Sequence, residues 1–222
     1  VEEQVVASLA MHLLSGVPWP GAKGFTIVAL ECQKRADGWF FDDIVVHVEQ
    51  TGVTRSIGSS VKSFPVFGPQ GATKDSVIAL WAQWRATAPR AFNADRDRLA
   101  LTSAQHTPDV REVWFGLTDE ARVTDPAVYA ARFTNATEPS SSRREAFASL
   151  LETEAGGTPE DAARLLSHLY LVEHDFQHTS SQTSAQCIAL AQQALDDNAR
   201  DRAADLWQAV CAVVVSGGMK LT

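Results

Sequence analysis

Cysteine is scarce. The chain carries only Cys32, Cys187 and Cys211, widely spaced and without a CxxC pair. That excludes a disulfide framework and fits buried thiols in a reducing compartment, so a cytoplasmic location is expected. Long apolar runs are absent as well: none approaches the roughly 18 residues a membrane span needs. No basic, apolar, small-residue leader opens the chain. Neither Val1 nor the closing Met219-Lys220-Leu221-Thr222 reads as a natural terminus, and a piece of a longer protein is expected. Basic charge is not in excess. The net charge of −8 over 222 residues argues against a general nucleic-acid coat. Gly68-Pro69-Gln70-Gly71-Ala72-Thr73-Lys74 lacks the glycine that precedes a P-loop lysine, so this stretch does not predict ATP hydrolysis. There is no Gly-x-Ser-x-Gly, no Cys-His constellation and no internal repeat.

What is present is an ordinary globular composition, 45% hydrophobic and 21% charged. The length suits one large domain or a domain with a helical appendage. Apolar residues at Val5, Val6, Leu9, Leu13 and Leu14 predict a helix over Val1–Leu14. Strands are predicted over Phe25–Cys32, Asp43–Gln50 and Val53–Ser63, with turns at Asp37-Gly38 and Thr51-Gly52. Phe64–Gly71, with Pro65, Gly68, Pro69 and Gly71, is expected to be an irregular loop. A helix over Asp75–Ala88, closed by Pro89, precedes a short strand over Arg98–Ser103. Thr107-Pro108-Asp109 and Thr158-Pro159-Glu160 both read as helix starts, with threonine as N-cap and proline in the first turn. The second helix is expected to end near Leu166, with a strand over His168–Phe176. Polar, serine-rich Thr134–Arg144 reads as a loop leading into a helix near Arg144. Helices over Thr183–Leu195 and Asp201–Val215 close the chain, with Gly217 as C-cap. The mixture predicts an α/β core with helices on both faces.

Chemistry concentrates between Phe40 and Ser63. Asp42 and Asp43 open one strand, and Lys62 sits near the end of the next. Phosphodiester hydrolysis requires a hard cation to activate water, and such a cation takes carboxylate, water and phosphate oxygens. Side chains repeat every two residues on a strand, so Ser60 and Lys62 share a face while Val61 turns away and leaves only its carbonyl available. For the same reason Asp42 and Asp43 cannot both face one way. The competing reading of these residues is a turn into a sheet and a solvated lysine.

The succession of helix, three strands, Asp42-Asp43-Ile44 and Ser60-Val61-Lys62-Ser63 resembles the PD-(D/E)xK nuclease superfamily. More narrowly, it resembles the N-terminal nuclease-like domain of bacterial antiviral STAND-class ATPases. Val1-Glu2-Glu3-Gln4-Val5, Gly38–Val46, Asp97–Thr102 and Leu169–Phe176 carry the rest of the likeness. It implies a restriction-endonuclease-like αβββαβ core over 1–178 and a helical extension over 179–222. It further implies a DNA endonuclease using Mg²⁺ or Mn²⁺, acting on double-stranded DNA. Activation would come from homo-oligomerisation through ATPase or sensor regions of the same protein. Residue by residue, the catalytic aspartate falls on Asp43, with Asp42 as second choice, and the lysine on Lys62. A first-helix carboxylate falls on Glu2, or on Glu3 if the register slips. Asp43, Glu2 and the Val61 carbonyl would be the metal ligands. Ser60 stands where the family carries Glu, Asp or Gln, and a neutral hydroxyl is a weaker ligand. The alternative function is a catalytically inactive domain that serves protein–protein assembly.

Secondary candidates are weaker. Seven basic residues against three acidic ones fall between residues 55 and 98, and Arg55, Lys74 and Arg85 are the DNA-contact candidates. A solvated face explains that balance as well. Trp81 and Trp84 could stack on bases, but their helical spacing favours core packing. His168, His174 and His178 fit no common zinc spacing.

Overall fold

The computed structural model describes residues 2–19, 21, 24–32, 37–41, 43–62, 67–68, 70–88, 90–103, 107–135, 140–152, 157–174, 182–216 and 220–221. Helix α1 (Glu2–Ser15) is followed by β1 (Thr26–Cys32), β2 (Ile44–Gln50) and β3 (Val53–Lys62). A short hairpin, β4 (Phe67–Gly68) and β5 (Gly71–Ala72), leads into α2 (Lys74–Trp84) and β6 (Asp97–Ser103). Helices α3 (Pro108–Val110), α4 (Gly116–Val123), α5 (Pro126–Thr134), α6 (Ser141–Ser149) and α7 (Pro159–His168) come next. Strand β7 (Leu169–Glu173), helices α8 (Gln182–Ala194) and α9 (Ala203–Ser216) and a two-residue β8 (Lys220–Leu221) complete the order.

The result is a mixed sheet of five strands, extended by β8, in the order β7–β6–β3–β2–β1–β8. Strands β1, β2 and β3 are antiparallel, whereas β6 joins β3 in parallel and β7 joins β6 in parallel. The β2–β3 hairpin turns on Thr51 and Gly52, both at positive φ (49° and 78°). That is the two-residue turn whose twist matches antiparallel strands. It fixes a register in which Ile44 faces Ser59 and Gln50 faces Val53.

Alternation along β3 divides the molecule into two layers. Ile57 and Val61 turn toward the core that α1, α8 and α9 cover, together with Val46, Val48, Leu190 and Trp207. On the other face Leu99 and Leu101 of β6 pack with Phe41, Leu80, Trp81, Trp114 and Leu166. Trp81 is fully buried there, and its indole N–H donates to the Leu150 carbonyl at 2.8 Å. Its role is packing, and Trp84 stacks beside Phe92 and His168.

Several boundaries differ from expectation. The stretch expected to be a loop contains the β4–β5 hairpin, because Phe67 stacks on Trp114 at 4.2 Å and the Gly68 carbonyl accepts the Trp114 indole. Helix α2 stops at Trp84, before Pro89. The chain turns at Arg85 (ψ 5°), which brings Phe92 back against Trp84. His168 closes α7 and does not open a strand: its ring bonds the Arg164 and Ala94 carbonyls, and β7 starts at Leu169. Helix α6 starts at Ser141, three residues early, because Ser140 caps it through Arg143 N–H. Thr107 and Thr158 cap α3 and α7 as expected, the latter in a full capping box with Asp161. The Gly217 C-cap and His178 lie outside the described residues.

His174 is buried where β7 meets α1 and α8. It lines a cavity of about 80 Å³ with His12, Ser8 and Cys187. Burial, and then the neighbouring His12, lowers its pKa from 6.5 to about 4. The unfolded chain therefore takes up this proton at higher pH than the folded one. Stability is unaffected above pH 6.5 and is lost as pH falls from there toward about 4, by roughly 3 kcal/mol in total. His174→Phe is expected to flatten this slope in urea unfolding at about pH 7 and about pH 5. An unchanged slope contradicts the assignment.

Candidate active site

Antiparallel register delivers the central pair. Because Ile44 pairs with Ser59, Asp43 arrives opposite the last residues of β3. Its Oδ2 accepts the Val61 N–H at 2.6 Å, the Ser60 hydroxyl at 3.1 Å and the Lys62 ammonium at 3.3 Å. Among the described residues all of these bonds fall on Oδ2, which leaves Oδ1 as the oxygen for a further ligand. N–H and C=O of one strand residue project to the same side, so the Val61 carbonyl points to the edge that Asp43 occupies. Ser60 and Lys62 share a face, as alternation requires, and both line a cleft of about 710 Å³ with Asp43.

The segment that carries Asp43 is held from behind. Trp39 packs flat on Gly58, where a Cβ would lie 2.6 Å from the ring and 2.9 Å from the Phe41 carbonyl oxygen. The Arg90 guanidinium covers Trp39 at 4.0 Å and bonds the buried Asp97 at 2.9 Å. Gln83, 2% exposed on α2, accepts the backbone N–H groups of Phe40 and Phe41 at 2.5 and 3.1 Å. None of these partners was visible in the sequence, since each joins segments that are distant along the chain. The cleft also holds Thr73, Asp75 and Ser76 from the start of α2. The one local hint there was a Thr73-x-x-Ser76 pattern at a helix start, and those two hydroxyls pair at 2.9 Å.

Glu2 stands in the first turn of α1, beside the cleft but not among its lining residues. Its pKa is raised, first by partial burial and then by the Asp43 carboxylate, while Lys62 pulls it down. The Cys32 thiol, raised first by burial, feels Glu2 as well. Glu2 is therefore within electrostatic reach of the Asp43–Lys62 pair and of Cys32 at the end of β1. Glu3 is exposed on the same turn. Asp42 lies outside the described residues.

The proposed DNA contacts do not gather here. Arg55 covers the Phe25 ring at 4.4 Å, at the far end of β3 and roughly 23 Å of strand from Lys62. Lys74 is exposed at the start of α2 beside the cleft, while Arg85 lies past the other end of that helix, over Trp81.

In donor chemistry, an oxygen-only set such as Asp43 Oδ1, Glu2 and the Val61 carbonyl would suit a hard cation bound largely through water and phosphate rather than zinc. Among the described residues no group of three or more His, Cys, Asp or Glu is arranged to hold a metal.

These features define a mixed α/β sheet with an acid–lysine cleft at the junction of its antiparallel and parallel halves. No protein-family model and no curated protein sequence matches the chain. In fold it is similar to the Acinetobacter baumannii Cap4 SAVED/CARF-domain containing receptor, whose structure was solved with the cyclic trinucleotide 3′3′3′-cAAA. The TM-score is 0.56 at 11% identity, with 98% of this chain covered and 40% of the receptor. The chain thus spans well under half of that receptor's length. Among the described residues, no helix is long and apolar enough to cross a membrane.

Two outcomes follow from this geometry. Gly58→Ala should push Trp39 and the Asp43 segment apart and lower unfolding free energy by about 1–3 kcal/mol in urea titration. In NMR titration of the Glu2 carboxyl, Asp43→Asn should lower the midpoint and Lys62→Met should raise it. Indifference to both variants would place Glu2 outside the site.

Proposed function

We propose that this chain is a nuclease-like effector domain of bacterial antiviral defence whose cleft hydrolyses phosphodiester bonds in double-stranded DNA. The observation that carries the reading is the meeting of Asp43, Ser60 and Lys62 on one cleft, with Asp43 locked to the Val61 N–H. The order helix, antiparallel β1–β2–β3, helix, parallel β6 supports a restriction-endonuclease-like core. Mg²⁺ or Mn²⁺, when bound, supplies charge neutralisation and an activated water. Asp43 Oδ1, Glu2 and the Val61 carbonyl would hold it. Lys62 orients the attacking water or stabilises charge on the phosphorane.

The fold likeness to the Acinetobacter receptor supports the defence setting. A sensing region or a STAND-class ATPase elsewhere in the whole protein would control this domain. Control then acts by oligomerisation, since an acidic domain binds DNA poorly alone and juxtaposed copies raise the effective concentration of sites.

The second reading, a catalytically silent assembly domain, is favoured by the neutral Ser60 and by the ion pair that occupies both Asp43 and Lys62. Plasmid cleavage with Mg²⁺ or Mn²⁺ decides between them, using the chain alone and the chain oligomerised through a fused coiled coil. Asp43→Ala and Lys62→Ala should each slow cleavage by about a hundredfold or more. Cleavage unchanged in both variants sinks the site assignment, and no cleavage by the oligomerised wild type establishes the silent reading.

A further inference from the structure

Phe40 and Ile78 are large apolar side chains left 37% and 39% exposed. Both line the cleft that contains Asp43 and Lys62, and with Ala79 and Ala82 they form an apolar wall beside its polar end. Two observations set this wall apart from ordinary surface. The Phe40 backbone is fixed by the buried Gln83, so the ring is presented from a rigid segment. The cleft also holds about 710 Å³, in the range of roughly 300–1,000 Å³ that encloses organic ligands and more than a hydrated cation with a phosphate requires. Its polar end holds the Lys62 ammonium, paired with Asp43 and sharing the cleft with Asp75, so a phosphate would compete with these carboxylates for it. Its wall offers an aromatic and aliphatic surface to a flat apolar body. A nucleotide carries both groups.

We infer that Phe40 and Ile78 form a nucleobase subsite, an inference that rests on the phosphodiesterase reading of the same cleft. The nucleotide beside the scissile phosphate leaves its stack and lies against Phe40, while its phosphate sits at Lys62. The base reaches Phe40 by leaving the duplex stack, which costs least where it is mismatched or already unpaired. Stacking on an aromatic ring tolerates every base, and no sequence preference follows from it.

The test is fluorescence anisotropy with the chain oligomerised through a fused coiled coil. Ca²⁺ replaces Mg²⁺ so that binding is read without turnover. The probes are a short fluorescein-labelled oligothymidylate and an abasic strand of the same length. Phe40→Ala should weaken oligothymidylate binding by about tenfold, and Phe40→Trp should restore it. The abasic strand should bind the wild type as weakly as oligothymidylate binds Phe40→Ala, and should be indifferent to the substitution. Equal wild-type affinity for the two strands, or an equal loss on both in Phe40→Ala, overturns the subsite and leaves the phosphodiesterase reading standing. Failure of the wild type to bind either strand overturns the subsite alone, while plasmid cleavage decides the phosphodiesterase reading separately.

Discussion

The hydrogen bond from the Val61 N–H to Asp43 Oδ2, 2.6 Å long, is the constraint on which the rest of the site depends. It exists because β2 and β3 pair in one register, set by the two-residue turn at Thr51 and Gly52. A slip of one residue would send Ser60 and Lys62 into the apolar core beneath α1 and bring Val61 to the cleft. The turn, the burial of Ile57 and Val61 on one face, and the placement of the acid and lysine on the other are therefore one requirement.

That requirement also determines the electrostatics. The carboxylates of Asp43 and Glu2 stand close enough for one to raise the other's pKa, and Lys62 offsets part of the repulsion. Ser60 adds no charge: it donates its hydroxyl to Asp43 and steadies it. The hydroxyl thus leaves the aspartate oriented without adding a second negative charge from β3.

Much of the fold was legible. The strands around Phe40–Ser63, the first helix and the threonine caps at Thr107 and Thr158 follow from alternation, helical spacing and cap chemistry, which are local properties. The errors fell where a distant partner overrides local preference. Pro65, Gly68, Pro69 and Gly71 read as a loop until Trp114 supplies a ring for Phe67 and a donor for the Gly68 carbonyl. Helix α2 ends early because Trp84 has Phe92 to pack on. His168 looked like the start of a strand, but its ring is bound to Ala94, far back in the chain. Of the site, Asp43, Ser60 and Lys62 could be paired from strand periodicity alone. Gln83, Asp75 and Gly58 could not, since nothing in their neighbouring residues marks a contact with the Asp43 segment or with its cleft.

By itself, then, the sequence determined the αβββαβ order, the face shared by Ser60 and Lys62, and the turn that brings an acid near a lysine. These rest on the two-residue period of a strand and the backbone needs of a two-residue turn. Only the tertiary structure decided which oxygen of Asp43 is left over, that Glu2 stands beside the cleft without lining it, and that Gln83 holds the backbone of Phe40 and Phe41 beside it. The first depends on the pairing of distant strand ends, and the other two on how α1 and α2 pack against the sheet; helix packing is set by side-chain shapes summed over whole faces, which no short stretch of residues encodes.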